Sequence, residues 1–173
     1  MKNKPIIIVA GEPYSVFLEI FFKIINLNFY KKYKRPVILI CSKKLLKMQM
    51  KKLNFSFEIN TLEKNQLKYL SLDNNKINII DVELNFKKPF GKISDKSFNY
   101  IKKSFDIAIE IMKKKIGFAL INGPISKKHF LKGKFNGITE FLSKKTDNKN
   151  NEVMLIYNKS LSVSPVTTHI AIK

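Results

Sequence analysis

The stretch KPIIIVAGEP, residues 4–13, sets an unbroken β-branched run directly before a glycine, an acid and a proline. A strand with one wet face alternates apolar and polar residues. A run with no polar position suits a strand covered on both faces, as in parallel sheets. Gly11 and Pro13 end the run, because glycine admits positive φ while proline fixes φ and removes a donor. Residues 15–28 then read as a long apolar helix in which Glu19 and Lys23 stand four apart, the spacing of a helical ion pair. PVILIC (36–41) repeats the buried-strand pattern. Ser42 is suited to cap a lysine-rich helix carrying Leu45, Leu46 and Met48. Strand, helix, strand and helix within fifty residues predict an α/β fold with a largely parallel sheet.

Further along, residues 55–59 alternate like a strand and residues 77–82 form another candidate. The connections 60–75 and 83–91 are polar and lack a period. In SDKSFNYIKKSFDIAIEIMKKK (94–115), Phe98, Ile101, Phe105, Ala108 and Met112 recur at helical spacing. Ser94 is placed to cap that helix, Asp95 suits its positive end, and three lysines close its negative end. GFALI (117–121) reads as the next buried strand, Asn122-Gly123-Pro124 as a turn, and residues 152–157 and 161–170 as two last strands joined by Asn158-Lys159-Ser160. No internal repeat or linker divides residues 1–173.

The composition is globular, with 45% hydrophobic residues, which excludes the disordered class. No apolar run approaches the roughly 20 residues that cross a bilayer. Residues 6–10 are shorter than the about 7–15 apolar residues of a secretion signal. Cys41 is the only cysteine, which excludes an internal disulfide and fits a reducing, cytoplasmic setting. Lysine and arginine outnumber acids 33 to 13, for a net charge of +20, yet Arg35 is the sole arginine. Nucleic-acid readers favour arginine for bidentate contacts, and these lysines are spread along the whole chain. A general compositional bias and a polyanion-binding surface both fit, and the bias accounts better for the missing arginines.

Neither GxGxxG nor GxxxxGK[ST] occurs, and no Cys/His spacing matches a zinc finger. His129 and Cys41 have no sequence relation that would make them a catalytic pair. Three stretches follow predicted strands, where open α/β sheets place their ligands. Gly11-Glu12-Pro13 is either a tight turn or part of a site. In NGPISKKHFLKGKFNGITEF (122–141), the Lys127 ammonium, the Thr139 hydroxyl and backbone N–H groups suit a phosphate; a capped helix with solvated lysines is the other reading. His169 in TTHIAIK (167–173) is either a metal ligand or a structural histidine.

Taken in order, these stretches resemble the 4-hydroxythreonine-4-phosphate dehydrogenase family of pyridoxal phosphate biosynthesis. Gly11-Glu12-Pro13 and Glu19 fall where the family has Gly-Glu-Pro-Ala-Gly-Ile-Gly-Pro-Glu, without its later glycines. Asn122-Gly123-Pro124-Ile125-Ser126-Lys127 is similar to its Thr-Gly-Pro-x-x-Lys. Gly137-Ile138-Thr139-Glu140 matches Gly-His-Thr-Glu, and Thr167-Thr168-His169 opens Thr-Thr-His-x-Pro-x-Arg, of which Lys173 takes the last place.

The resemblance implies a three-layer α/β/α fold of the isocitrate/isopropylmalate dehydrogenase type, incomplete at the C-terminus. It implies oxidation of 4-phosphooxy-L-threonine by NAD or NADP to a β-keto acid, which loses CO2 to give 3-amino-2-oxopropyl phosphate. A divalent metal (Zn, Mg or Co) held by three histidines across a homodimer interface would polarise the reacting oxygens. His169 would be the first metal histidine, Thr139 a substrate contact and Lys127 a further one, while Ile138 replaces the family's substrate-binding histidine. Isoleucine can neither hydrogen-bond the substrate nor move a proton, so substrate binding is expected to be weakened, rearranged or redirected. The remaining histidines and most of the nicotinamide region are expected beyond Lys173, leaving residues 1–173 as an N-terminal half, inactive and poorly soluble alone. The competing expectation is a noncatalytic basic α/β module that binds nucleic acid or another polyanion.

Overall fold

Among the described residues five strands carry the apolar runs: β1 (Ile6–Val9), β2 (Val37–Cys41), β3 (Ile59–Thr61), β4 (Ile77–Asp81) and β5 (Ala119–Asn122). Four α-helices among the described residues accompany them: α1 (Phe17–Ile25), α2 (Lys43–Lys52), α3 (Phe98–Lys113) and α4 (Ile138–Lys145). The structure is a computed structural model and describes residues 3–27, 32–33, 35–67, 72, 74–147 and 152–165. The strands pair in the order β3-β4-β2-β1-β5, and all four pairings are parallel. Parallel neighbours cannot be joined by hairpins, so the connections cross the faces of the sheet and cover both of them.

The period of two along each strand assigns its residues to those faces. Ile7 and Val9 of β1, Ile38 and Ile40 of β2, and Ile80 of β4 pack with Ile101, Phe105, Ala108 and Ile111 of α3. Val37, Leu39 and Cys41 of β2 and Ile77 and Ile79 of β4 pack with Leu18, Phe21, Phe22 and Ile25 of α1 and Leu46 of α2. The result is the predicted α/β/α layering. On the α3 side, Phe105 lies 5.7 Å from Phe130 and 5.5 Å from Phe141, ring centre to ring centre. Those two rings fasten the 122–141 stretch to α3 and so fix where its polar residues stand.

Local details differ from the sequence expectations for identifiable reasons. Residues 55–58 are not strand; Phe55 and Phe57 instead cluster with Phe22 at 5.5 and 6.2 Å, and pairing begins only at Ile59. Ser94 does not cap α3, which starts at Phe98 after a 3-10 turn, Asp95–Ser97. The Ser94 carbonyl accepts from Ser97 Oγ at 2.9 Å, and that turn holds the backbone off the helical path. Met48 points outward on α2, where Leu45 and Leu46 already fill the buried side. Among the described residues strand β5 pairs with β1 alone, and Phe118 and Ile121 beside and within it are exposed, so it is not the fully buried strand its composition implied. Residues 152–165 show a single antiparallel bridge, Ile156 to Val163, and the rest of the expected final strand lies outside the described residues. Ser42 does cap α2, its Oγ accepting from Leu45 N at 3.4 Å, and Glu19 pairs with Lys23 at 2.6 Å.

Candidate functional site at the switch point of the sheet

The chain leaves β1 toward β2 on one flank and later returns to β5 on the other, so the carboxyl ends of β1 and β5 form a topological switch point. The two motifs that resembled the family meet there. Gly123 N donates to Val9 O at 2.7 Å, and Glu12 N donates to Pro124 O at 2.8 Å. The two turns are in van der Waals contact through their glycines. A Cβ on Gly123 would sit 2.2 Å from Ala10 O, and one on Gly11, whose φ is +75°, would sit 2.3 Å from Pro124 O. Neither position accepts a side chain without moving backbone.

Glu12, between those turns, is only 3% exposed. Its Oε1 accepts from Ser97 Oγ at 2.8 Å, while Oε2 is buried without a hydrogen-bond partner among the described residues. Burial pushes this carboxyl above the usual carboxylate range, against the opposing pull of the Ser97 hydrogen bond and the nearby His129. Behind the site, Gln49 of α2 is buried and its Nε2 donates to Pro13 O at 3.0 Å and Pro89 O at 2.7 Å. One amide therefore ties the turn after β1 to the long connection before α3. Neither Glu12–Ser97 nor the Gln49 clamp was visible in the sequence, since the partners lie 36 to 85 residues apart.

His129 sits in a π-type turn, Lys127–Leu131, whose N-cap Ser126 accepts from His129 N at 3.2 Å. Its ring Nδ1 lies 2.8 Å from Asp95 Oδ1, joining this turn to the start of α3. That contact, first of all, holds the Asp95 carboxyl below the usual range. Cys41 is fully buried in the sheet, and its thiol is pushed up by burial, so it is no partner for His129.

The sequence candidates are distributed as follows. Lys127 is exposed at the start of the π-type turn, and Thr139 is half-buried in the first turn of α4. Among the described residues neither side chain makes a hydrogen bond or ion pair, which leaves both available to a ligand. Ile138 packs against the α3-side core, so the residue in the family's histidine position anchors α4. His169, Thr167 and Thr168 lie outside the described residues. Among the described residues no group of three His, Cys, Asp or Glu side chains could hold a metal. Those residues alone therefore do not fit the implied metal, and no chemical step is derived through it. Ser97 and Gln49 are polar neighbours that sequence reasoning missed, and it met Asp95 and His129 only separately, not as a pair.

Two outcomes are expected from this geometry. Gly123→Ala should destabilise the fold by about 2 kcal/mol or more in urea titrations, because the added Cβ would meet backbone that cannot give way. A raised native pKa for Glu12 means that the native state holds its proton more tightly than the unfolded chain. Its contribution is thus full below the ordinary carboxylate pKa and is lost as pH rises through the native value. Melting temperatures measured from about pH 5 to pH 8 should fall more steeply for the wild type than for Glu12→Gln; parallel curves would mean that Glu12 is ionised in both states.

Comparison with known proteins places this geometry in a wider setting. The chain superposes on the 4-hydroxythreonine-4-phosphate dehydrogenases of Burkholderia phymatum and Klebsiella pneumoniae, each with a TM-score of 0.81. Sequence identities are 22% and 21%, with 98% of this chain covered in both cases. The matches take in 51% and 52% of those structures, so the chain spans about half their length. At such identity the likeness establishes the α/β fold. Among curated proteins none matches the chain. The family model described as pyridoxal phosphate biosynthetic protein PdxA matches residues 32–173, most of the sequence, and the chain therefore belongs to the PdxA family.

Proposed function

We propose that this chain serves an NAD- or NADP-dependent, divalent-metal-dependent oxidation of 4-phosphooxy-L-threonine in vitamin B6 biosynthesis. The observation that carries the reading is the PdxA family match over residues 32–173. The meeting of Gly11-Glu12-Pro13 with Gly123-Pro124 at the switch point of the sheet supports it. In the reaction the C3 hydroxyl becomes a ketone: hydride leaves C3 for the nicotinamide and the hydroxyl gives up its proton. The product, 2-amino-3-oxo-4-(phosphooxy)butanoate, is a β-keto acid and loses CO2 to yield 3-amino-2-oxopropyl phosphate.

In this reading the chain's own residues bind and orient. Thr139 supplies a hydroxyl at the N-terminal turn of α4, where the helix dipole favours an anion. Lys127 supplies a mobile positive charge two residues past the Gly123-Pro124-Ile125 turn. Ile138 supplies packing in place of a proton-carrying side chain, so recognition there falls to Thr139. His169 is proposed as a metal ligand on the strength of its motif.

A homodimer is part of the same proposal. The 152–165 segment leaves Val153, Leu155, Ile156, Tyr157 and Leu161 each more than 60% exposed, an apolar strip of the kind that a second copy covers. Among the described residues no helix is long and apolar enough to cross a membrane, and the proposed setting is cytoplasmic.

The test is nicotinamide reduction with 4-phosphooxy-L-threonine by the protein expressed from the full reading frame that encodes this chain, in the presence of Zn, Mg or Co. The expected result is turnover that a chelator abolishes, and a kcat/KM lowered roughly tenfold by Thr139→Val, the cost of one hydrogen bond to a charged ligand. Turnover indifferent to chelation, or none from a folded, metal-loaded dimer, would overturn the reading.

A further inference from the structure

The rings that seat the 122–141 stretch on α3 do not close completely on one another. Phe98, Phe130, Leu131, Phe135 and Phe141 line a hollow of about 110 Å³ beside α3. Ring centres stand 5.7 Å apart for Phe98 and Phe130, 5.2 Å for Phe130 and Phe141, and 5.5 Å for Phe135 and Phe141. Ring pairs at these distances hold preferred orientations, so the walls are fixed by their own packing. An apolar cavity of about 150 Å³ takes one benzene molecule. This smaller hollow therefore has room for at most a single ring.

The mouth of the hollow is cationic. Lys102, Lys132 and Lys134 border it, all three exposed, and among the described residues no carboxylate lines it. Lys132 Nζ lies 4.7 Å from the centre of the Phe98 ring, and Lys144 Nζ lies 5.6 Å from that of Phe135. Among the described residues Lys132, Lys134 and Lys144 form no ion pair. Asp106, one turn along α3 from Lys102, is already held by Lys102 at 2.8 Å and Lys145 at 3.1 Å. Asp95, whose carboxyl feels the charge of Lys132, is paired with His129 at 2.8 Å. The backbone also takes an unusual path here. Lys132 has a φ of +50° and Gly133 one of +69°, a left-handed region that lysine, unlike glycine, enters at an energetic cost. Lys132 N donates to Lys127 O at 3.0 Å and Lys134 N to Leu131 O at 2.9 Å, which fixes that reversal.

We propose that this surface docks an acidic segment of a partner protein, with one aromatic side chain of that segment in the hollow and carboxylates beside it on Lys132, Lys134 and Lys144. Size sets the anchor. A single ring has too few atoms to hold a free small molecule tightly, so the ring belongs to a larger partner, as aromatic anchors at interfaces do. Charge sets the flanks. Lysines stand over two different rings, Phe98 and Phe135, so acids on both sides of the anchor meet more of them than one carboxylate does. A second copy of this chain suits the surface poorly, because 33 cations against 13 acids present it with like charge. The inference does not rest on the dehydrogenase reading, and binding is measured without turnover.

The experiment is a fluorescence-anisotropy titration with the protein expressed from the full reading frame that encodes this chain. The probe is the labelled peptide Glu-Asp-Glu-Phe-Glu-Asp-Glu, at about 0.15 M salt, where attraction beyond about 8 Å is largely screened. Saturable binding is expected, at least about tenfold tighter than that of the same peptide with alanine in place of phenylalanine. Joint Lys132→Gln and Lys134→Gln substitution is expected to weaken it at least about fivefold. Joint Lys47→Gln and Lys51→Gln substitution removes the same charge from exposed positions on α2 and is expected to change it less than about twofold. All four lysines are exposed, so the fold is expected to survive, and circular dichroism checks it. Equal affinity for the two peptides or equal losses in the two double variants would overturn the proposal. So would the absence of saturable binding because a second copy, or another part of the protein, fills the hollow.

Discussion

Everything that positions the candidate site depends on one close approach. The backbone leaving β1 and the backbone leaving β5 touch at Gly11 and Gly123, with no room for a Cβ on either. Two hydrogen bonds, Gly123 N to Val9 O and Glu12 N to Pro124 O, lock that contact. Because β5 adds directly beside β1, the connection 122–141 begins at the switch point, and Phe130 and Phe141 then seat it on α3. Lys127 and Thr139 are placed by this packing, and among the described residues their side chains make no hydrogen bond. A bulkier residue at either glycine would separate the strand ends and move both candidates together.

Glu12 illustrates what such tightness costs. A carboxyl with one satisfied and one orphaned oxygen is an expensive group to bury. Burial raises its pKa, which favours the neutral form over the buried charge. Close by, Asp95 behaves in the opposite way, because it is exposed and paired with His129. Two carboxyls within one region thus respond to pH in opposite directions, one set by burial and the other by a partner.

The sheet was legible in the sequence because it depends on local pattern. Ile6–Val9 and Val37–Cys41 lack polar positions, and only a strand covered on both faces tolerates that in water. The errors came where tertiary packing overrode pattern: Phe55 and Phe57 alternate, yet join a ring cluster with Phe22 rather than a ladder. The glycine turns were legible as turns, but their mutual contact was not, since 112 positions separate Gly11 from Gly123 (123 − 11). Gln49 and Ser97 were invisible for the same reason. The net charge of +20 also resolves into parts. Arg35, the sole arginine, donates to Lys4 O at 2.9 Å and lies over the Phe118 ring at 3.7 Å. It is committed to the fold, which removes the side chain best suited to a nucleic-acid surface and leaves lysines, three of them gathered around the phenylalanine-lined hollow beside α3.

The central claim, that the β1 and β5 turns form one rigid unit, is tested most directly by native-state hydrogen exchange. Amides in strands that open only on global unfolding exchange slowest, whereas turn amides normally exchange through local fraying. Gly123 N–H and Glu12 N–H are expected to share the protection of the central β1 amides, despite lying in turns. Exchange of these two amides at the rate of exposed loop positions, with β1 still protected, would contradict the claim.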